Sequence, residues 1–157
     1  MSKQLLTVSI FFLILLFAGA AFSAEPKDRI RGPITVTSES LTADNKEHTA
    51  LFEKNVIART TDMTIHADRM LVYYKEQGGD VTKIECKGNV KVLRDSKVIT
   101  SKEAVYFADE EKVVFTGNPR AVDGENVVTG TRIIYFTKDD RSLVENSKVI
   151  LKNKQDK

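Results

Sequence analysis

The sequence predicts an all-β protein of repeated β-hairpin units folded into two facing sheets, a jelly roll, and three observations carry that reading. From Ala24 onward, 15 Val, 9 Ile and 13 Thr stand against 6 Leu. Such β-branched side chains suit a pleated surface because their stiff χ1 costs little there. No stretch keeps a capped apolar period of about 3.6 residues long enough for a helix, so helix content should be small. Turn signals recur at Gly78-Gly79, Gly88-Asn89, Asp109-Glu110, Gly117-Asn118-Pro119, Asp123-Gly124 and Asp139-Asp140. That spacing leaves antiparallel strands of roughly 5–9 residues.

In chain order, the first element, residues 1–23, is an export signal. Lys3 is its positive start, Ile10 to Phe17 its apolar core, and Ala21-Phe22-Ser23 places small residues before a cleavage point at Ala24. The alternative is an uncleaved anchor, because Leu5 to Phe22 approaches the roughly 18 residues that span a bilayer. No Cys lies near that point, so a lipoprotein anchor is excluded. Either way, residues 24–157 are expected outside the cytoplasm. Of those 134 residues, 49 are apolar, about 37%, against roughly 45–50% (Gly included) in an average domain. A core this thin suits an elongated or open shape. The formal charge, +2, is too small to argue for nucleic acid, and one Cys supplies neither a disulfide framework nor a Cys-based zinc site.

Residues 24–32, with Lys27, Arg29 and Arg31, read as a solvated tail. Strand alternation begins at Ile34-Thr35-Val36-Thr37 and returns at Val90-Lys91-Val92 and Lys148-Val149-Ile150-Leu151-Lys152. Between these lies a repeat. Gly88-Asn89 and Gly117-Asn118 are 29 residues apart, and the same offset pairs Ile99 with Val128, Ala104 with Ile133 and Tyr106-Phe107 with Tyr135-Phe136. One unit earlier the offset is 34, pairing Asn55-Val56 with Asn89-Val90, Ile65 with Ile99 and Tyr73 with Phe107. The five extra residues fit a longer hairpin around Gly78-Gly79. A partial unit pairs Val36, Ser38 and Leu41 with Ile65, Ala67 and Met70. Each copy reads as two strands, one opening at Asn-Val and one carrying an aromatic pair. Such units need neighbours to bury their apolar face, as a solenoid or as facing sheets; the alternation favours facing sheets.

This pattern resembles the OstA-like, or LptA, family of lipopolysaccharide (LPS) transport proteins. The resembling segments are Pro33 to Leu41, Asn55-Val56, Ile65-His66-Ala67-Asp68, Phe115 to Pro119 and Gly130 to Tyr135, within a domain of residues 33–151. Lys54 departs from the family's usual Gly, so the first turn should differ. Only residues 152–157 follow the last strand. The resemblance implies a V-shaped β-jelly roll whose sheets part into an open hydrophobic groove for lipid A acyl chains, with no enzymatic activity and no cofactor. It also implies head-to-tail self-association and partners at both membranes, an LptC-like inner-membrane protein and an LptD-like outer-membrane protein. An LptC-like anchored component of the same pathway, or a scaffold binding partners by edge strands, are the alternatives.

Carried onto the repeat, the groove is expected to be lined by Met70, Val72, Ala104, Tyr106, Ile133 and Tyr135 on one face, with Ile34, Val36, Leu41, Phe52, Leu93 and Phe115 as further candidates. The same side chains would serve an ordinary inter-sheet core. Ile34-Thr35-Val36-Thr37 and Lys148-Val149-Ile150-Leu151 are the expected outer strands, open to strand addition by a partner unless Lys148 and Lys152 discourage it. Burying one CH₂ contributes about 0.8 kcal/mol, so a fully enclosed 12-carbon chain, at about 10 kcal/mol, would be trapped. A carrier should cover such chains only partly. His66 and Asp68 share a strand face, but no third ligand or nucleophile accompanies them, and no phosphate loop is present. Cys86 falls on the positions of Phe52 and Phe115 and is expected to be a buried, unpaired thiol.

Overall fold

The computed structural model describes residues 34–152. The export signal at 1–23, the tail at 24–32 and residues 153–157 lie outside the described residues. Among the described residues, twelve antiparallel strands form one open sheet: β1 (Thr35–Thr37), β2 (Ser40–Asp44), β3 (Thr49–Arg59), β4 (Met63–Tyr74), β5 (Val81–Arg94), β6 (Lys97–Phe107), β7 (Lys112–Thr116), β8 (Arg120–Asp123), β9 (Asn126–Thr129), β10 (Arg132–Phe136), β11 (Arg141–Glu145) and β12 (Lys148–Ile150). No helix occurs among the described residues. Strands β3 to β6 run 11 to 14 residues, longer than the 5–9 expected.

They are long because each crosses from one half-sheet to another. The first half-sheet takes β2, residues 49–53 of β3, the C-terminal part of β4, the N-terminal part of β5, the C-terminal part of β6, then β7, β10 and β11. The second takes β1, the other parts of β3 to β6, then β8, β9 and β12. Register shifts mark the crossing between Glu53 and Val56, between His66 and Arg69, and between Lys87 and Val90. Side chains of the two halves meet in one core cluster, Val56, Ala58 and Val90 of the second half with Met70, Cys86, Phe115 and Ile133 of the first. The sheet is therefore folded on itself along a corner, as facing sheets require.

Left-handed residues make that corner. Lys54 and Asn55 take φ of 63° and 51°, Gly88 and Asn89 75° and 47°, Gly117 and Asn118 76° and 60°, and Asn146 49°. An extra left-handed residue bends a strand as a bulge does. Two sequence expectations change here. Asn55-Val56 and Asn89-Val90 do not open strands, and Gly88-Asn89 is no turn; both pairs lie inside β3 and β5, where a left-handed pair turns the strand without ending it. Nor does the first corner differ at Lys54, which adopts the same conformation despite its Cβ. At Gly88 and Gly117 glycine is required twice over, since a Cβ would come within 2.3 Å of Asp68 Oδ2 and 2.5 Å of Lys102 Cβ.

The repeat offsets are the spacings of this corner. Asn55 Nδ2 donates to Glu39 Oε1 at 2.5 Å, Asn89 Nδ2 to Asp68 Oδ2 at 2.9 Å and Asn146 Nδ2 to Thr131 Oγ1 at 3.1 Å. Backbone N–H groups of Glu39, Lys102 and Thr131 donate to the carbonyls of Lys54, Gly117 and Glu145. Asp68 therefore occupies the place of Glu39 one unit on, and Thr131 the place of Lys102. The six-residue connection at 75–80, against four at 108–111 and 137–140, contributes to the longer offset. At these three tips a cation sits over the aromatic ring of the preceding strand: Lys83 over Tyr73 (4.1 Å), Lys112 over Phe107 (5.2 Å) and Arg141 over Phe136 (4.1 Å). Each cation is also paired with an acid, Glu85, Glu110 and Asp139 respectively.

Candidate functional site

Strand register builds the inner face row by row, because directly paired residues point to the same side. Across the first half-sheet runs Leu41–Phe52–Met70–Cys86–Ala104–Phe115–Ile133–Val144. Two residues outward runs Ala43–Ala50–Val72–Ile84–Tyr106–Val113–Tyr135–Ser142. The facing row of the second half-sheet is Val36–Ala58–Ile65–Val92–Ile99–Ala121–Val128–Val149. Between these rows, over the C-terminal half of the roll, lies a cavity of about 360 Å³, within the size range of ligand sites. Ile84, Cys86, Tyr106, Val113 and Phe115 line it from one half, and Ile65, Val92, Ile99, Ala121 and Val128 from the other.

The six residues expected to share a face do so: Met70, Ala104 and Ile133 stand in one row, Val72, Tyr106 and Tyr135 in the next. Ala104, Tyr106, Phe115 and Tyr135 reach the cavity. Val36, Phe52, Met70, Val72 and Ile133 belong to the packed cluster beside it. Ile34 and Leu41 lie at the N-terminal end and are exposed. Leu93 needs correction: it pairs with Thr64 and Val98, opposite in parity to Val92, and therefore lies on the outer face. The aromatic pairs also resolve by parity, since Tyr106 and Tyr135 face inward while Phe107 and Phe136 carry the outer cations.

Missed at the sequence level was the second wall apart from Val36. Its signal was present in the matched positions Ile65, Ile99 and Val128, which the repeat aligned without assigning to a surface. The polar rim was missed too. Arg94 Nη1 donates to Tyr135 Oη at 2.7 Å, Tyr135 Oη donates to Asp140 Oδ1 at 2.7 Å, and Lys97 Nζ lies 3.5 Å from Asp140 Oδ2. Arg94 Nη2 is 3.4 Å from Asp62 Oδ2. The Tyr135 hydroxyl foremost, and then Lys97 and Arg94, holds the Asp140 carboxyl below its ordinary value. All five residues line the cavity.

Cys86 is buried as expected, and desolvation pushes its thiol up to about 12, which keeps it protonated and unreactive. The Asp68 carboxylate accepts from Asn89 at the corner, and no group of His, Cys, Asp and Glu able to hold a metal occurs among the described residues. The ends of the roll differ from its middle. β1 and β12 are outer strands, and β2 and β11 share that position in the other half-sheet; each has a single neighbouring strand among the described residues. The large exposed apolar side chains, Ile34, Leu41, Leu143, Val149, Ile150 and Leu151, all sit on or beside these four strands.

Fold and cavity together define an open two-sheet β-jelly roll with an apolar interior space between its walls. Residues 35–141 match the family described as LptA/(LptD N-terminal domain) LPS transport protein, and the chain belongs to that family, a class of transport proteins and not of enzymes. Among solved structures, LptH, the LptA homologous periplasmic component of the conserved lipopolysaccharide transport device from Pseudomonas aeruginosa, superposes with a TM-score of 0.72. The match covers 82% of this chain and 100% of that one at 14% identity, so the likeness is one of fold. No curated protein sequence matches the chain significantly.

Proposed function

We propose that the protein is a periplasmic LPS carrier and bridge that shelters lipid A acyl chains between its half-sheets. The cavity carries this reading: in a family that transports LPS, its walls are apolar side chains from both half-sheets and its mouth is polar. That division suits an amphiphile with chains inside and sugars outside. At about 360 Å³ the space holds part of a lipid and leaves the rest to neighbours, which keeps binding reversible. Exposed apolar residues on or beside β1, β2, β11 and β12 favour strand addition at both ends, to further copies and to LptC-like and LptD-like partners.

Strand parity supplies the test. A photoreactive residue placed at Tyr106 or Val128, on the inner face, should yield LPS adducts in cells. The adjacent outer positions Val105 and Val127 should not. Absence of adducts at all four sites, or equal yields on the two faces, would sink the carrier reading and favour a scaffold.

A further inference from the structure

We propose that Asp62, Arg94, Lys97, Tyr135 and Asp140 form a displaceable latch that holds the mouth of the groove shut over the C-terminal half of the roll. Asp62, Arg94 and Lys97 belong to the rim of the second half-sheet, at the 60–62 and 95–96 connections; Tyr135 and Asp140 belong to the rim of the first, on β10 and its following tip. Two contacts span the gap, Arg94 to Tyr135 at 2.7 Å and Lys97 to Asp140 at 3.5 Å. Tyr135 is the link between them, accepting from Arg94 and donating to Asp140 at 2.7 Å. Beneath this chain lies the apolar cavity, so a side chain or acyl chain moving sideways through the mouth must part it.

The same contacts are built to break. Side-chain exposure runs from 32% at Arg94 to 64% at Asp140, so water replaces each lost partner. The rim also carries an excess of acids. Asp95 and Asp123 stand beside Arg94 and Lys97 on the same half-sheet, with Asp123 accepting from Ser96 Oγ at 2.8 Å, and Asp139 lies beside Asp140 next to Arg141. With Asp62 and Glu125 added, the second rim holds four acids against two cations, while Lys138 and Arg141 balance Asp139 and Asp140 on the first, so opening the mouth leaves uncompensated negative charge on the second rim. The closed state therefore depends on Tyr135 as well as on charge.

Closure itself is read on ligand-free protein and does not depend on the carrier reading; what passes the mouth does. Spin labels at Glu125 and Lys138, on opposite rims of the full chain in a Cys86→Ala background, report the gap by double electron–electron resonance. The parent should give one narrow distance distribution. Tyr135→Phe and the isosteric Asp140→Asn should each broaden it and move it to longer distance, with Lys97→Met doing so less. In stopped-flow fluorescence, N-phenyl-1-naphthylamine should reach the cavity at least threefold faster in both variants. Distributions and rates equal to the parent's in both variants would overturn the latch. Broadened distances in a protein that never takes up the probe would support the latch and count against the carrier.

Discussion

The two long margins of the roll, corner and mouth, join the same half-sheets by opposite means. At the corner the backbone itself crosses, through left-handed pairs at Lys54-Asn55, Gly88-Asn89 and Gly117-Asn118. Val56, Val90 and Pro119 are fully buried beside it. At the mouth nothing covalent crosses, and the join consists of one exposed ion pair, Lys97–Asp140, and one hydrogen bond, Arg94 to the Tyr135 phenol. Packing at the corner is worth several kcal/mol per large side chain, whereas exposed pairs are worth about 0.2–1 kcal/mol each. A structure so built has one margin fixed by the backbone and packing and one held by weak contacts alone.

The comparison breaks most visibly at Phe115, which is 2% exposed and sits two residues before Gly117. Phe115→Ala should cost about 3–5 kcal/mol in urea unfolding, and a loss under about 1 kcal/mol would mean the corner is not the packed margin. Next come the left-handed positions. Gly117→Ala introduces a Cβ 2.5 Å from that of Lys102 at a φ of 76° and should cost at least the 1–2 kcal/mol of a left-handed L-residue, roughly. Lys54→Gly should do the reverse and raise stability by up to about 1 kcal/mol, a sign change seen in the same unfolding assay.

The mouth should respond least. Asp140→Asn is expected to change global stability by less than about 1 kcal/mol while altering the gap between the rims. Because the Asp140 carboxyl is held below the ordinary 3.8, its contribution is fully present above that value and fades as pH falls through the depressed one. The rim-to-rim distance should thus be the same at pH 7 and pH 5 and lengthen only in stronger acid. Lengthening already at pH 5 would show that another group governs closure.

The inner face was legible to the extent that its residues repeat. Ala104 with Ile133 and Tyr106 with Tyr135 carry the 29-residue offset, and parity then puts them on one surface. Leu93 was misassigned because it lies between Val92 and Arg94 in a run where apolarity no longer alternates, so composition could not reveal its parity. Gly88-Asn89 was read as a turn because the same left-handed chemistry ends a strand in one setting and bends it in another. The latch left no sequence trace at all: Arg94 and Tyr135 are 41 residues apart and belong to no common offset.

By itself the sequence determined the β class, the 29- and 34-residue units and the family pattern, because these rest on local propensity and on spacing along one chain. The facing of the half-sheets, the second wall of the cavity and the closure of its mouth were decided only in the tertiary structure. Each depends on which residues meet across a fold line, and that is set by the direction in which every left-handed corner turns its strand.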